Sequence, residues 1–170
     1  MDGASSTNWV GSGHPLLAGL HLTTKGLTTA AGPGRDRVSL LSDEDTRAGL
    51  DAVAAAEARL VAIRASLLAH AEVRRVREQL KARTTASWLA DVARISGATA
   101  REHVKVAGML DGCPEAAGLL AAGAATLAHA RIVADTLKDI DKLGTVDVAT
   151  RAAAVAFLTK QARLLDPVAL

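Results

Sequence analysis

The feature that most limits what this chain can fold into is a long run of apolar residues at helical spacing, launched from an acidic cap. "SDED" at Ser42–Asp45 offers a hydroxyl N-cap followed by three carboxylates in the first turn. Exposed backbone N–H groups and the helix dipole favour negative charge there. From this cap Leu50, Val53, Leu60, Ile63, Leu67 and Ala71 recur as one stripe, the pattern of an amphipathic helix that runs for several turns. Beyond Ala71 the pattern changes. Val73, Val76 and Leu80 lie nearly opposite the first stripe, and Arg74, Arg75 and Glu78 occupy its face, so the helix bends or breaks there, or a second partner packs on it.

Composition extends the helical reading to the rest of the chain. Alanine is abundant, aromatic residues make up 2% with no tyrosine, and Gly and Pro cluster outside the apolar stretches. A chain of 170 residues, 49% hydrophobic, can bury one sizeable core. The expectation is therefore an all-α fold, a single helical domain of about six helices over residues 42–170 with a long first helix. Residues 1–41 are rich in Ser, Thr and Gly, end in "AAGPGRDR" and show no sustained helical period, so they read as a disordered leader.

After the first helix, "RTTASWLADVARISGATAREHVKV" has the order of a helix-turn-helix pair. Thr84 or Thr85 caps a helix that turns Trp88, Leu89 and Val92 inward. Gly97 suits a positive φ in the turn, and Thr99 with Glu102 has the spacing of a capping box for the next helix. That helix carries Ala100, Val104, Ala107 and Leu110 on its apolar face, with Arg101 and Lys105 opposite. Pro114 opens a short helix that Gly123 ends; Thr126 begins another that Gly144 closes; the last runs from Val146 to Leu165. The ending "LLDPVAL", without cap, charged tail or polar linker, is that expected of a fragment of something longer.

Several function classes find no support in these residues. Cys113 is the only cysteine, which excludes an intramolecular disulfide and a Cys-rich zinc site and fits a reducing cytoplasm. No uncharged run reaches the roughly 18 residues of a membrane span, and the Met-Asp start lacks the basic region of a signal peptide. No cofactor motif and no metal motif is present. Asp135, Asp139 and Asp141 could in principle hold a divalent cation, but interleaved Lys138 and Lys142 mark a solvated helix face. His129, set among apolar residues, reads as structural, and Cys113 as a small capping or core residue with no base nominated beside it. No catalytic residue is assigned.

Charge supplies the one positive functional signal. The net charge is only +2, yet between Glu72 and Lys105 eight basic residues face four acidic ones. Phosphate contacts from such a segment would give salt-sensitive affinity for double-stranded DNA, and a second helix entering the major groove would present its N-terminal residues to base edges. The candidate contact residues are Arg74, Arg75, Arg77, Lys81, Arg83, Arg101 and Lys105. The competing reading is an oligomerisation or protein-interaction domain, in which the long first helix uses its second apolar stripe on another copy or another helical protein.

"RTTASWLADVARISGATAREHVKVAGML" from Arg83 and "CPEAAGLLAAGAATLAHARIV" from Cys113 together resemble the 13E12-repeat proteins of high-GC bacteria, whose shared region is called domain of unknown function 222. The matching elements are Trp88-Leu89-Ala90, the Ala107 to Leu110 step, Pro114, Gly123 and the run Leu127-Ala128-His129-Ala130. The resemblance covers Leu50 to Leu170, with residues 72–82 the least family-like. It implies a helical region that commonly precedes an HNH nuclease module, hence an accessory domain of a DNA-processing protein. The nuclease motif itself is absent: none of His14, His21, His70, His103 and His129 adjoins another His, and there is no cysteine pair.

Overall fold

A computed structural model describes residues 14–32 and 38–170, and among them every regular element is a helix. The helices are α1 (Pro15–Ala31), α2 (Asp43–Val73), α3 (Val76–Gln79), α4 (Thr85–Ala93), α5 (Gly97–Asp111), α6 (Pro114–Ala122), α7 (Leu127–Leu143) and α8 (Val148–Gln161). The chain divides into two units, Met1–Arg47 and Ala48–Leu170. No helix among the described residues is long and apolar enough to cross a membrane.

In the first unit the leader departs from expectation, because its described part is helical from Pro15 to Ala31. His14 accepts from the Leu16 N–H at the start, Pro15 needs no N–H in the first turn, and Thr23, Thr24, Thr28 and Thr29 each donate to the carbonyl four residues back. Gly19 and Gly26 cost only about 1 kcal/mol each in the interior of this helix and do not forbid it. No residue of α1 is buried. Trp9 lies outside the described residues.

In the second unit the core is built from α2, α5, α6 and α7, with Ala162 closing it from the end of α8. Leu120, Leu137 and Val133 are its largest fully buried side chains. The start of α2 follows the sequence reading, since the Ser42 hydroxyl accepts the Asp45 N–H at 3.1 Å. Its buried face does not. The leucine stripe is largely turned away from the core: Leu50, Val53 and Leu67 are 66%, 55% and 43% exposed. Instead Ala58, Ala65 and Leu68 are buried, flanked by Val61 and Ala62. Of the expected stripe only Ala71 is buried. Small side chains let α2 approach its neighbours closely, and Arg59 adds a 2.9 Å hydrogen bond to the Ala122 carbonyl.

The change of pattern beyond Ala71 is a break. Helix α2 ends at Val73, Arg75 takes a left-handed conformation at φ 51°, and a single turn, α3, follows before Lys81 at φ 54°. At the far end of the chain α8 is shorter than expected, beginning after Asp147, whose carboxylate accepts the Thr150 N–H at 2.9 Å.

Candidate nucleic-acid interface

Thr84 fixes the start of α4, its hydroxyl accepting the Ser87 N–H at 2.9 Å while the Ser87 hydroxyl accepts the Thr84 N–H at 3.0 Å. The turn that follows differs from the sequence reading. Arg94, not Gly97, takes the left-handed conformation at φ 53°, with its N–H and that of Ile95 both donating to the Ala90 carbonyl. The chain therefore re-enters helix earlier. Ser96 is the N-cap of α5, accepting the Thr99 N–H at 3.0 Å, and Gly97 is the first helical residue. Thr99 and Glu102 consequently form no capping box, because Thr99 already stands three residues inside.

A contact invisible in the sequence sets α4 against the end of α2. The Glu72 carboxylate accepts a hydrogen bond from the Thr85 hydroxyl, and Thr85 is buried. Beside this contact opens a cleft of about 810 Å³, walled by the first turn of α4, by Gly97 and Val104 of α5, and by α3. Arg77, Arg83 and Arg101 all line it, together with Glu72 and Asp91. Arg77 has a carboxylate neighbour, Glu78 at 3.5 Å, whereas Arg83 and Arg101 have none among the described residues. The Arg101 guanidinium folds back over the first turn of α5, 3.6 Å from where a side chain on residue 97 would begin.

Three of the seven candidate basic residues thus converge, and four do not line this cleft. Arg74 and Arg75 lie at the α2–α3 break, where the Arg74 carbonyl accepts from the Gln79 amide, and Lys81 lies beyond the end of α3. Lys105 lines a second hollow of about 640 Å³ between α5 and α7, among Glu102, Arg131, Asp135 and Lys138. Arg101 and Lys105 are one turn apart on α5 and still serve different surfaces.

Glu102, a residue that would repel phosphate, is bound by Arg131 of α7 in an ion pair, which places a cation against that carboxylate. Arg131 stood outside the candidate set because 29 positions separate it from Glu102. Two of the three aspartates of α7 are engaged separately: Asp139 with Lys142 at 2.7 Å, Asp141 with Arg151 of α8 at 2.7 and 3.2 Å. Arg151 reaches Glu115 of α6 as well, at 3.2 Å, so one guanidinium links α6, α7 and α8. Its backbone N–H and then Arg151 hold the Glu115 carboxyl below the usual range, and the hydrogen bonds from Arg151 do the same for Asp141. Among the described residues no group of three His, Cys, Asp or Glu side chains could hold a metal ion.

His129 and Cys113 have structural surroundings. The His129 ring receives the Thr126 N–H and hydroxyl at Nδ1, and its Nε2 lies 2.8 Å from the Leu165 carbonyl. A carbonyl can only accept and a backbone N–H only donate, so the ring carries its proton on Nε2. Cys113 is buried at the N-cap of α6, and burial pushes its thiol pKa up, away from the thiolate a nucleophile needs. Trp88 is half-buried against the core and does not offer a free stacking face. No protein-family model matches the chain, and neither the curated proteins nor the solved structures contain one similar to it.

Proposed function

We propose that this chain is a non-catalytic helical accessory domain of the 13E12-repeat kind, which holds double-stranded DNA for a nuclease module through the α4–α5 pair. The observation that carries the reading is the convergence of Arg77, Arg83 and Arg101, from three separate segments, on one cleft beside the first turn of α5. Guanidinium groups bind phosphate oxygens in pairs of parallel hydrogen bonds, and the positive end of a helix dipole supports the same charge. Glu102 lies outside this cleft, paired with Arg131, and within it the three arginines face two carboxylates without an ion-pair partner among the described residues, Glu72 and Asp91, which leaves an excess of one positive charge.

The number of arginines at the cleft sets the expected salt dependence. Three phosphate contacts give a slope of about −2.7 in log affinity against log salt, hence a loss of about 40-fold between about 50 and 200 mM. All seven candidate residues acting together would give a loss of several thousand-fold over the same range. Fluorescence anisotropy on a short duplex separates the two. Binding with the shallower slope, abolished in an Arg83→Glu/Arg101→Glu variant and little changed in Lys105→Glu, supports the cleft as the contact surface. No binding at low salt, or undiminished binding by the double variant, overturns it.

A further inference from the structure

We propose that the outward face of α2 pairs, antiparallel, with the same face of a second copy of this chain. The inference does not depend on the nucleic-acid reading. Val53, Leu60 and Leu67 recur every seven residues, and Ala56 and Ile63 fall between them at the alternating spacing of three and four that forms a coiled-coil seam. None of these five belongs to the core cluster or to the apolar residues packed against it. Helix α2 therefore has two apolar faces: the alanine face meets its own domain, and the leucine face meets nothing among the described residues of that cluster.

Charge beside the seam identifies the occupant and the orientation. Glu57 and Arg64 flank the same edge, each one residue beyond a seam position, while Arg59 and Ser66 flank the other. In an antiparallel pair like edges meet, so with Leu60 opposite Ile63 of the second copy, Glu57 faces Arg64 of that copy and the two-fold axis makes the contact twice. In a parallel pair unlike edges meet, which sets Glu57 against Ala52 of the second copy and forfeits both Glu57–Arg64 contacts, while Arg59 stays on its own Ala122 carbonyl. Glu57 has no ion-pair partner among the described residues, and Arg64 reaches only the His103 ring at 3.1 Å. Both charges stand at the exposed edge of the seam. A seam that is apolar in the middle, complementary in charge to itself when reversed and without that complementarity when parallel fits a second copy of this chain.

The test is sedimentation velocity of the full chain and of two single variants, Glu57→Arg and Arg64→Glu, with helical circular dichroism as the folding control. The native chain should show a concentration-dependent monomer–dimer equilibrium. Each variant alone converts two attractive contacts into two repulsive ones and should dimerise at least about tenfold more weakly. Mixed in equal amounts, the two variants regain both complementary contacts and should form a heterodimer at the native strength. A native chain that stays monomeric at all concentrations overturns the proposal. So do single variants that dimerise like the native chain, or a mixture no more associated than its components.

Discussion

Replacing His129 by alanine removes two separate supports from the second unit, and their separate sizes can be worked out. The ring is 6% exposed and is the reciprocal partner of the Thr126 cap at the start of α7, which fixes the first turn of a helix that supplies four core residues, Ala130, Val133, Ala134 and Leu137. Losing that cap costs about 1 kcal/mol. The Nε2 hydrogen bond to Leu165 spans 36 positions and ties the segment after α8 to the start of α7. Its loss costs about 1 kcal/mol, since Leu165 is 39% exposed and its carbonyl can turn to water. The space and contacts left by the ring add about 1 kcal/mol, so His129→Ala should lose about 3 kcal/mol in urea unfolding. Two further variants divide this total. An asparagine oxygen occupies the position of Nδ1 and can keep the cap, whereas a glutamine amide reaches the position of Nε2 and can keep the tether. Each should recover about 1 kcal/mol. Hydrogen exchange of residues 161–170 should be accelerated in His129→Asn and close to native in His129→Gln. A loss below about 1 kcal/mol for the alanine variant, or equal exchange in the other two, would refute the account of His129 as a two-ended strut.

Two other expectations are open to simpler measurements. Gly123 has φ +68°, and an added Cβ would sit 2.8 Å from the Arg59 guanidinium carbon and 3.0 Å from the Ala55 carbonyl oxygen; Gly144, at φ +65°, has open space around it. Gly144→Ala should therefore lose about 1 kcal/mol in chemical denaturation, and Gly123→Ala about 2 kcal/mol or more because Arg59 must also release the Ala122 carbonyl. Acid should weaken the fold through Glu115 and Asp141, whose carboxyls are held below their ordinary values with Arg151 contributing to both. A depressed folded-state value means that the unfolded chain binds more protons near pH 4, so this stabilisation is complete above the unfolded pKa and is lost as pH falls through the folded one. Urea midpoints taken from neutral pH downward should fall less steeply below about pH 4 in Arg151→Met than in the native protein. Equal slopes would show that Arg151 does not set these values.

Local chemistry made much of the fold legible in the sequence. The Ser42 cap with its three acids, the Thr84 cap, Pro114 in the first turn of α6, and Gly123 and Gly144 at helix ends all act through neighbours within a few residues, so type and spacing sufficed to place them. The helix-turn-helix order was legible for the same reason. Its turn was misplaced by a few residues, because Arg94 adopts a left-handed conformation that sequence rules reserve for glycine and Ser96 caps α5 ahead of Thr99. Helix α1 was missed because its threonines satisfy their hydroxyls along the helix itself, a pattern that reads in sequence as a polar loop.

The sequence by itself determined that this is a helical protein, where most of its helices begin and end, and that positive charge gathers between Glu72 and Lys105. Only the tertiary structure decided which face of α2 is core and which arginines line one cleft. Periodicity gives the angle of each residue on a helix but not the direction of the neighbours, and α2 carries apolar residues over two faces. The closeness allowed by Ala58, Ala62 and Ala65 favoured the face with the smaller side chains. Likewise Glu72 meeting Thr85, Glu102 meeting Arg131 and three arginines meeting at one cleft are contacts between separate segments. Charge counting along the chain gives their sum; only folding in three dimensions selects which charges are neutralised and which remain for a partner.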